Sequence, residues 1–334
     1  MLRSSVTPPV ADLLLRYDSA GTALSCEPVA QGLLNRGYRL ATTHGDFFLK
    51  HHLDGDPTAI SRQHRATRRL EELGVPVAPP LAGADGDTVT VIGGRCYALH
   101  PWIDGRHRDG AQLSTAGSRR LGALLGLVHT GLEQVMENES APPPHASADP
   151  VHTLSVIEDL LARLASRPEP RDAFDELAEH RLRERRRLLE RHAHRRPPAG
   201  APGGWVHGDF HPFNLLYRGA EPAAIIDWDR LGVQPRAEEA VRAAAIFFVG
   251  PTGELELPKV RAYARAYRRA AAAQPAELAA AVHRVWWERL NDFWVLRWRY
   301  RLDDRRADAL FPAASALVVW WTREYDAVRE AFTG

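Results

Sequence analysis

The sequence is poor in cysteine. Its 334 residues include two cysteines, Cys26 and Cys96, which lie far apart and form no Cys-x-x-Cys pair. This scarcity argues against a disulfide framework and against a structural zinc site built from cysteines. We interpret both residues as small side chains of the protein core.

Long apolar runs are missing as well. The leucines at 13–15 are too few for the apolar segment of a secretion signal, and no stretch reaches the ~20 apolar residues that span a bilayer. The formal net charge is +1, so no global field favours a nucleic-acid or membrane partner. We therefore expect a cytoplasmic protein with neither partner, while the oligomeric state stays open.

The chain is longer than one hydrophobic core usually serves, which predicts two substructures of a soluble enzyme. We expect a strand-rich lobe at 1–100 and a larger, mainly helical lobe at 101–334, with a helical insertion at about 151–194. This is an α+β architecture. The predicted elements of the smaller lobe are strands at 27–33, 38–42, 47–51, 88–92 and 95–99 and a helix at 59–73.

The most informative stretch runs from His207 to Asn214 and is followed by Asp227. Phosphoryl transfer needs a proton acceptor and oxygen ligands for one or two Mg²⁺ ions. Asp209 suits the first task, and Asn214 and Asp227 suit the second. The turn-forming residues at 218–222 predict a hairpin whose two strands place Asn214 and Asp227 at the same end.

These motifs resemble the aminoglycoside phosphotransferase and homoserine kinase superfamily, relatives of the protein kinases. The resemblance rests on His-Gly-Asp, four residues, Asn, and then Ile-Asp-Trp, at 207–214 and 226–228. It implies a bilobal protein-kinase-like fold in which Asp209 is the catalytic base, Asn214 and Asp227 hold magnesium, and His207 organises the loop.

The resemblance also implies an activity. The chain would transfer the γ-phosphate of ATP, with GTP not excluded, to a hydroxyl of a small molecule. The acceptor class includes aminoglycosides, amino sugars and other antibiotics, which would make the protein a resistance enzyme. A metabolic kinase of homoserine or choline type and a nucleotide-binding pseudokinase are the alternatives. A protein kinase is disfavoured, because no Ala-Pro-Glu segment follows Asp227.

The nucleotide site in such a fold includes a lysine and a hinge. By the resemblance, Lys50 binds the α- and β-phosphates, the turn at 32–37 lies over the phosphates, and backbone groups between Leu99 and Trp102 read the adenine. The glutamate that usually pairs with the lysine would fall at Gln63. This amide can accept a hydrogen bond from Lys50 but brings no charge, and the departure keeps the pseudokinase alternative open.

The acceptor-binding residues are the weakest part of the pattern. A helix predicted at 276–301 carries Glu288 and Asp292 at i and i+4, beside Trp294 and other tryptophans. With Asp229, these acids and aromatic rings would suit an amine-bearing acceptor. The competing interpretation is an exposed acid pair beside buried tryptophans.

Two other hypotheses use residues of the same regions. His207, Asp209 and His211 alternate and could ligate zinc, although a further histidine or cysteine partner is missing. The basic helix at 181–196 could bind RNA, but it lacks interleaved aromatic residues. The pairs Glu179–Arg183 and Glu184–Arg187 instead favour a solvated helix.

Overall fold

The structure, a computed structural model, describes residues 8–29, 35–53, 55–136, 146–167, 170–200 and 203–334. The first half of the predicted phosphate-covering turn, at 32–34, lies outside these residues, as does the end of the first predicted strand. Among the described residues, no helix combines the length and apolarity needed to cross a membrane.

An antiparallel sheet of five strands forms the amino-terminal part of the described chain, with order β1-β2-β3-β5-β4. The predicted meander and hairpin are confirmed within the described residues. Gly93 and Gly94 turn the hairpin at φ 56° and 73°, which glycine adopts readily. The elements are α1 (Val10–Leu14), β1 (Ala23–Val29), β2 (Arg36–Thr42), β3 (Gly45–His52), α2 (Pro57–Glu72), β4 (Thr90–Ile92) and β5 (Arg95–Pro101).

Helix α2 lies beside this sheet and has strong end signals. The Asp56 side chain accepts the N–H of Thr58 at 2.9 Å, Pro57 occupies the first turn, and Gly74 at φ 80° follows the last turn. The helix therefore covers the predicted segment and starts two residues earlier than its predicted start at 59.

The larger part of the chain is mainly helical. Two short ribbons interrupt it, β6 paired with β9 and β7 paired with β8. Its elements are α3 (Thr115–Val135), α4 (Pro150–Ala165), α5 (Ala173–His192), β6 (Gly204–Val206), β7 (Leu215–Arg218), β8 (Glu221–Ile225), β9 (Gly232–Gln234), α6 (Arg236–Phe247), α7 (Leu257–Ala271), α8 (Pro275–Asn291), α9 (Trp294–Leu302), α10 (Phe311–Arg323) and α11 (Tyr325–Thr333).

The described residues bury two hydrophobic cores. The smaller core joins α1 to the five-stranded sheet, and the larger one is centred on the helices and the two ribbons. Ala66 and Leu70 of α2 belong to the larger core, so this helix links the two parts. The lobe boundary near residue 100 stays a prediction.

One predicted helix is wrong as a single element. The segment at 276–301 breaks between α8 and α9, because Asp292 is extended at ψ 132°. Its Oδ1 accepts the N–H of Trp294 at 3.0 Å, a local bond that competes with helix continuation. Arg185 then donates to the carbonyls of Arg289 and Leu290, at 2.6 and 3.1 Å, and closes the end of α8.

The insertion is a pair of helices, α4 and α5. Its basic surface is extensively paired: Arg183 contacts Glu179 at 2.5 Å as predicted, whereas Glu184 contacts Arg181 at 2.7 Å instead of the predicted Arg187. The i,i+3 geometry brings Arg181 within reach on the same helix face. Arg185, in the middle of this stretch, is buried.

Candidate active site

The loop after β6 is fixed by a buried histidine. His207 has no exposed surface, its Nδ1 accepts the N–H of Asp209 at 3.2 Å, and its Nε2 donates to the carbonyl of Ile226 at 3.1 Å. Burial lowers the pKa of His207, so the ring is neutral with its proton on Nε2. One imidazole thus ties the loop to the end of β8.

A buried carboxylate on α6 accepts hydrogen bonds from the same loop. Glu239, 3% exposed, accepts the backbone N–H groups of His207 and Gly208 at 3.3 and 2.5 Å. It also contacts His129 Nε2 at 2.8 Å, and His129 Nδ1 contacts the Tyr267 hydroxyl at 3.0 Å. His129, which has no exposed surface, is therefore a packed structural residue.

Sequence reasoning did not identify Glu239 as part of the site. Its signal is an acid on an otherwise apolar helix face, since Ala243 and Phe247 follow at spacings of four residues and are buried. Such a position needs a polar partner in the core.

The turn at Gly208 tolerates no side chain. Its φ is +83°, and a Cβ there would lie 2.1 Å from the carbonyl oxygen of Arg230. Glycine therefore lets the loop pass directly beside the segment that follows Asp227.

Asp209 lies at the tip of this loop with a partly exposed carboxylate. Its Oδ2 is 3.6 Å from His211 Nε2 and 3.7 Å from Arg230 Nε. Burial alone would raise the pKa of Asp209, but His211 and Arg230 outweigh it and hold the pKa below its usual value. The carboxylate is ionised at neutral pH.

The ribbon of β7 and β8 brings Asn214 and Asp227 together, as the sequence predicts. Leu215 pairs with Ile225, and the N–H of Ile226 donates to the carbonyl of Asn214 at 2.9 Å. The Asn214 side-chain amide donates to the carbonyl of Asp209 at 2.8 Å, and its oxygen receives no hydrogen bond from the residues that the structure describes.

Asp227 adopts a left-handed backbone conformation, with φ 61° and ψ 66°. A residue other than glycine is strained there, and such strain concentrates at functional sites. The conformation ends β8 and presents the carboxylate to Lys50.

The side chain of Lys50, on β3, contacts the segment that follows this ribbon. Its Nζ lies 2.7 Å from Asp227 Oδ1 and 2.7 Å from Asp229 Oδ1, and the residue is 9% exposed. Burial would lower the pKa of Lys50, but the two carboxylates outweigh it and raise the pKa. The other lysine of the sequence, Lys259, contacts Glu256 and the carbonyl of Gly110, each at 2.9 Å.

Gln63 lies at the same site, but its hydrogen-bond partner is not the expected one, the Lys50 ammonium. Its Nε2 donates to the backbone carbonyl of Asp229 at 3.1 Å. An amide can donate as well as accept, and the donor side is the one engaged. The bond places α2 directly against the segment after Asp227.

Three histidines that the sequence motifs did not indicate lie near Lys50. His52, His64 and His100 are buried or nearly so, and His64 Nδ1 contacts the Thr88 hydroxyl at 2.8 Å. Burial is the main cause that lowers the pKa of these rings, to about 3, 2 and 4 respectively, and the Lys50 ammonium contributes to each shift in the same direction. All three rings are neutral, so Lys50 is the positively charged side chain of this group of four.

The hinge region is largely engaged in the sheet. The carbonyl of Leu99 accepts the N–H of Leu81 at 2.7 Å, and the N–H of Trp102 donates to the carbonyl of Asp46 at 3.2 Å. The Trp102 ring lies 4.8 Å from the guanidinium of Arg39. His100 and Pro101 lie between these bonds and are in register with Phe48 and Phe47 of β3.

The acids proposed for acceptor binding have other partners. Glu288 is 2.9 Å from Arg242, and Asp292 caps α9 at Trp294, whose ring packs edge-on against Trp298. The expected i,i+4 face of one helix is wrong, because Asp292 lies in the break after α8. Asp229 contacts Lys50.

The described residues contain no group of three or more His, Cys, Asp or Glu side chains arranged to hold a metal ion. Both ring nitrogens of His207 are already bonded. The zinc hypothesis for the alternating residues of this loop is therefore not supported by the geometry.

Known proteins share this arrangement of elements. The chain is 26% identical to a homoserine kinase of Nitrobacter winogradskyi over 280 residues, 81% of this chain and 78% of that protein. A solved spectinomycin phosphotransferase superposes with a TM-score of 0.62 at 14% identity, over 97% of this chain and 96% of the other. An amicoumacin kinase superposes with a TM-score of 0.61 at 18% identity, over 96% and 92%.

The structural likeness establishes the α+β, protein-kinase-like fold. The sequence profile of the phosphotransferase enzyme family matches residues 25–273, about three quarters of the chain. With the fold and the loop geometry above, this match makes the protein an enzyme that phosphorylates hydroxyl groups of small molecules, and the chain belongs to the phosphotransferase enzyme family.

Proposed function

We propose that the protein transfers the γ-phosphate of ATP to a hydroxyl of a small molecule, with Asp209 as the catalytic base. The observation that carries the proposal is the convergence of Asp209, Asn214, Asp227 and Lys50 on one cleft through short contacts. Phosphoryl transfer depends mainly on positioning and charge stabilisation, and these contacts supply both.

Asp209 is suited to accept the proton of the attacking hydroxyl. Its carboxylate is ionised, partly exposed and flanked by His211 and Arg230. The backbone of its loop is held by Glu239 and His207, so the base is presented in a fixed orientation.

Asn214 and Asp227 offer an amide oxygen and a carboxylate, the hard oxygen ligands that Mg²⁺ prefers. The Asn214 amide nitrogen is engaged with Asp209, which directs the oxygen away from the loop. A magnesium ion bound there would neutralise charge on the phosphates. Lys50 would hold the α- and β-phosphates, and backbone groups between Leu99 and Trp102 would take the adenine.

For the acceptor, the contacts favour a small zwitterionic or anionic alcohol over a polycationic antibiotic. Arg230, with a 58% exposed side chain, stands beside the base, where it can pair with an acceptor carboxylate. Glu288 is neutralised by Arg242, so it offers a cationic acceptor little. One relative, 26% identical over 81% of this chain, is a homoserine kinase, and a hydroxy amino acid meets this description.

The test is a turnover screen of the purified protein with Mg²⁺ and either ATP or GTP. Acceptors are homoserine, other hydroxy amino acids, choline, amino sugars and aminoglycosides. We expect turnover with a hydroxy amino acid, and loss of turnover by about 10³-fold or more in Asp209→Asn with nucleotide binding retained.

Specific outcomes decide between the alternatives. Unchanged turnover in Asp209→Asn would remove Asp209 as the base. Nucleotide binding without turnover on any acceptor would support the pseudokinase. Strong selectivity for aminoglycosides would overturn the acceptor class and favour a resistance enzyme.

A further inference from the structure

The lysine of the site lacks its usual helix-borne acid. Gln63 occupies the α2 position that faces the cleft, and it donates to a backbone carbonyl without contributing charge. Lys50 is nearly buried, and a buried ammonium needs an anionic partner to be stable and oriented. Some other carboxylate must serve it.

Two carboxylates contact Lys50, and they have different duties. Asp227 and Asp229 each place an oxygen 2.7 Å from Nζ. Asp227 is also the proposed metal ligand, so its charge is shared when nucleotide is bound. Asp229 has no other role in the proposed reaction. It is therefore the carboxylate that can stay paired with Lys50 when nucleotide is bound.

Asp229 is braced from several elements. The Asn35 amide donates to its Oδ2, and Asn35 Oδ1 accepts the N–H of Leu53 at 3.1 Å. Gln63 binds its backbone carbonyl, and His52 Nδ1 lies 4.0 Å from Oδ1. The side chain is 25% exposed. With one oxygen on Lys50 and the other on Asn35, it is poorly placed to bind an acceptor.

We infer that Asp229 is the positioning residue for Lys50 and replaces the missing helix acid. The negative charge that pairs with Lys50 is thus supplied by the segment after β8 instead of α2. Gln63 supports Asp229 through the hydrogen bond to its backbone carbonyl. This inference rests on the proposed function, since it assigns Lys50 to the phosphates. Asp229 acts through Lys50 and leaves the acceptor to other residues.

The decisive experiment moves the charge back to the helix. Asp229→Asn should weaken binding of a non-hydrolysable ATP analogue with Mg²⁺ and raise the KM for ATP, each by about tenfold or more, because a hydrogen bond between charged groups is lost. The KM for the acceptor should change by less than about twofold. Adding Gln63→Glu to Asp229→Asn should recover most of the lost nucleotide affinity.

A matched control excludes a general charge effect. Arg68→Gln lowers the net charge by one, as Gln63→Glu does, but on the exposed side of the same helix. In the Asp229→Asn background it should restore nothing. Asn35→Ala leaves the charges of Lys50 and Asp229 in place, so it should weaken nucleotide binding less than Asp229→Asn does. Adding Gln63→Glu to Asn35→Ala should also restore part of the lost nucleotide affinity. This variant carries the test if Asp229→Asn does not fold.

The outcomes separate this inference from the proposed function. If the wild-type protein neither binds nucleotide nor turns over any acceptor, the proposed function fails. If it is active and Asp229→Asn chiefly raises the acceptor KM, Asp229 belongs to the acceptor site and the inference is overturned. Failure of Gln63→Glu to restore nucleotide affinity overturns it equally.

Discussion

At the scale of single residues, the candidate site combines a local pair, Asn214 and Asp227, with supporting side chains from other elements. Asn214 and Asp227 meet as expected because a hairpin brings strand ends together regardless of the rest of the fold. Glu239 on α6 and Asn35 before β2 come from other elements, and no local spacing marks the approach of Glu239 to the loop or of Asn35 to Asp229. Only tertiary packing decides which buried acid reaches which N–H group.

Glu239 gives a prediction at this scale. Glu239→Gln replaces an acceptor that receives the N–H groups of His207 and Gly208 with an amide that can present a donor to them. We expect kcat to fall by about tenfold or more, with nucleotide affinity nearly unchanged, because the base is misplaced while Lys50 is untouched. Steady-state kinetics and analogue titration measure the two effects.

The control for this variant is Glu133→Gln, which removes an exposed acid paired with Arg236 at 3.0 Å. Its kinetics should match the wild type, since surface ion pairs contribute little. Equal losses of kcat and nucleotide affinity in Glu239→Gln would indicate general unfolding and contradict the positioning role.

At the scale of elements, periodicity and end signals predicted strands and helices well where the pattern was regular. Helix α2 shows why, since its cap, first-turn proline and terminal glycine are all local. The break between α8 and α9 was missed because only part of its cause is local. Asp292 caps α9 through a local bond, but Arg185 reaches the end of α8 from α5, and apolar periodicity runs through both helices.

The seam between α3 and α7 depends on glycine. A Cβ at Gly122 would lie 2.1 Å from the carbonyl oxygen of Tyr263, whereas at Gly117, on the same helix, the nearest atom is 3.6 Å away. We expect Gly122→Ala to destabilise the protein by about 2 kcal/mol, since overpacking forces backbone shifts. Gly117→Ala should be neutral or slightly stabilising. Thermal unfolding compares them, and a Gly122→Ala protein as stable as Gly117→Ala would refute the close approach.

The helical insertion is fastened to α9 by buried charges. Arg299 contacts Asp175 at 3.2 Å, and the Tyr300 hydroxyl donates to the same carboxylate at 2.7 Å. Burial alone would raise the pKa of Asp175, but the bond from Tyr300, the N–H of Asp172 and the charge of Arg299 together hold it below its usual value. The ionised carboxylate is therefore favoured in the folded state.

This depressed pKa fixes the sign of a pH effect. Asp175 contributes stability above its unfolded pKa of about 3.9, and the contribution is lost as the pH falls through the lower folded value. The gap in Tm between wild type and Asp175→Asn should be full at pH 6 and shrink below about pH 4. Asp326→Asn, 88% exposed, should show no such gap. A gap that grows on acidification would contradict the sign.

At the scale of the whole molecule, two cores meet across a cleft that charged contacts span. Lys50, Asn35 and Gln63 come from the amino-terminal part, and all of them contact Asp229, while Lys50 also reaches Asp227. The α+β class and the division into a sheet part and a helical part followed from element order alone. The links across the cleft did not, because they join residues far apart in sequence.

Nucleotide binding should therefore stabilise the whole molecule through this cleft. At a concentration about 100 times Kd, a non-hydrolysable ATP analogue with Mg²⁺ should add about 2.7 kcal/mol. Asp209→Asn should keep the resulting rise in Tm, while Lys50→Met should lose most of it. A full rise in Lys50→Met would show that the nucleotide binds elsewhere.

The sequence holds two lysines, one buried in the cleft and one tied to Glu256 and Gly110, while arginine supplies the remaining basic side chains. Guanidinium groups do not react with acylating reagents that target amines, since they stay protonated. Acylation of side-chain amines is thus directed to two residues, Lys50 and Lys259, whose side chains are 11% and 13% exposed. Peptide mapping separates the two, so the rate at Lys50, with Lys259 as the internal reference, follows the access of a reagent to the site without any acceptor being known.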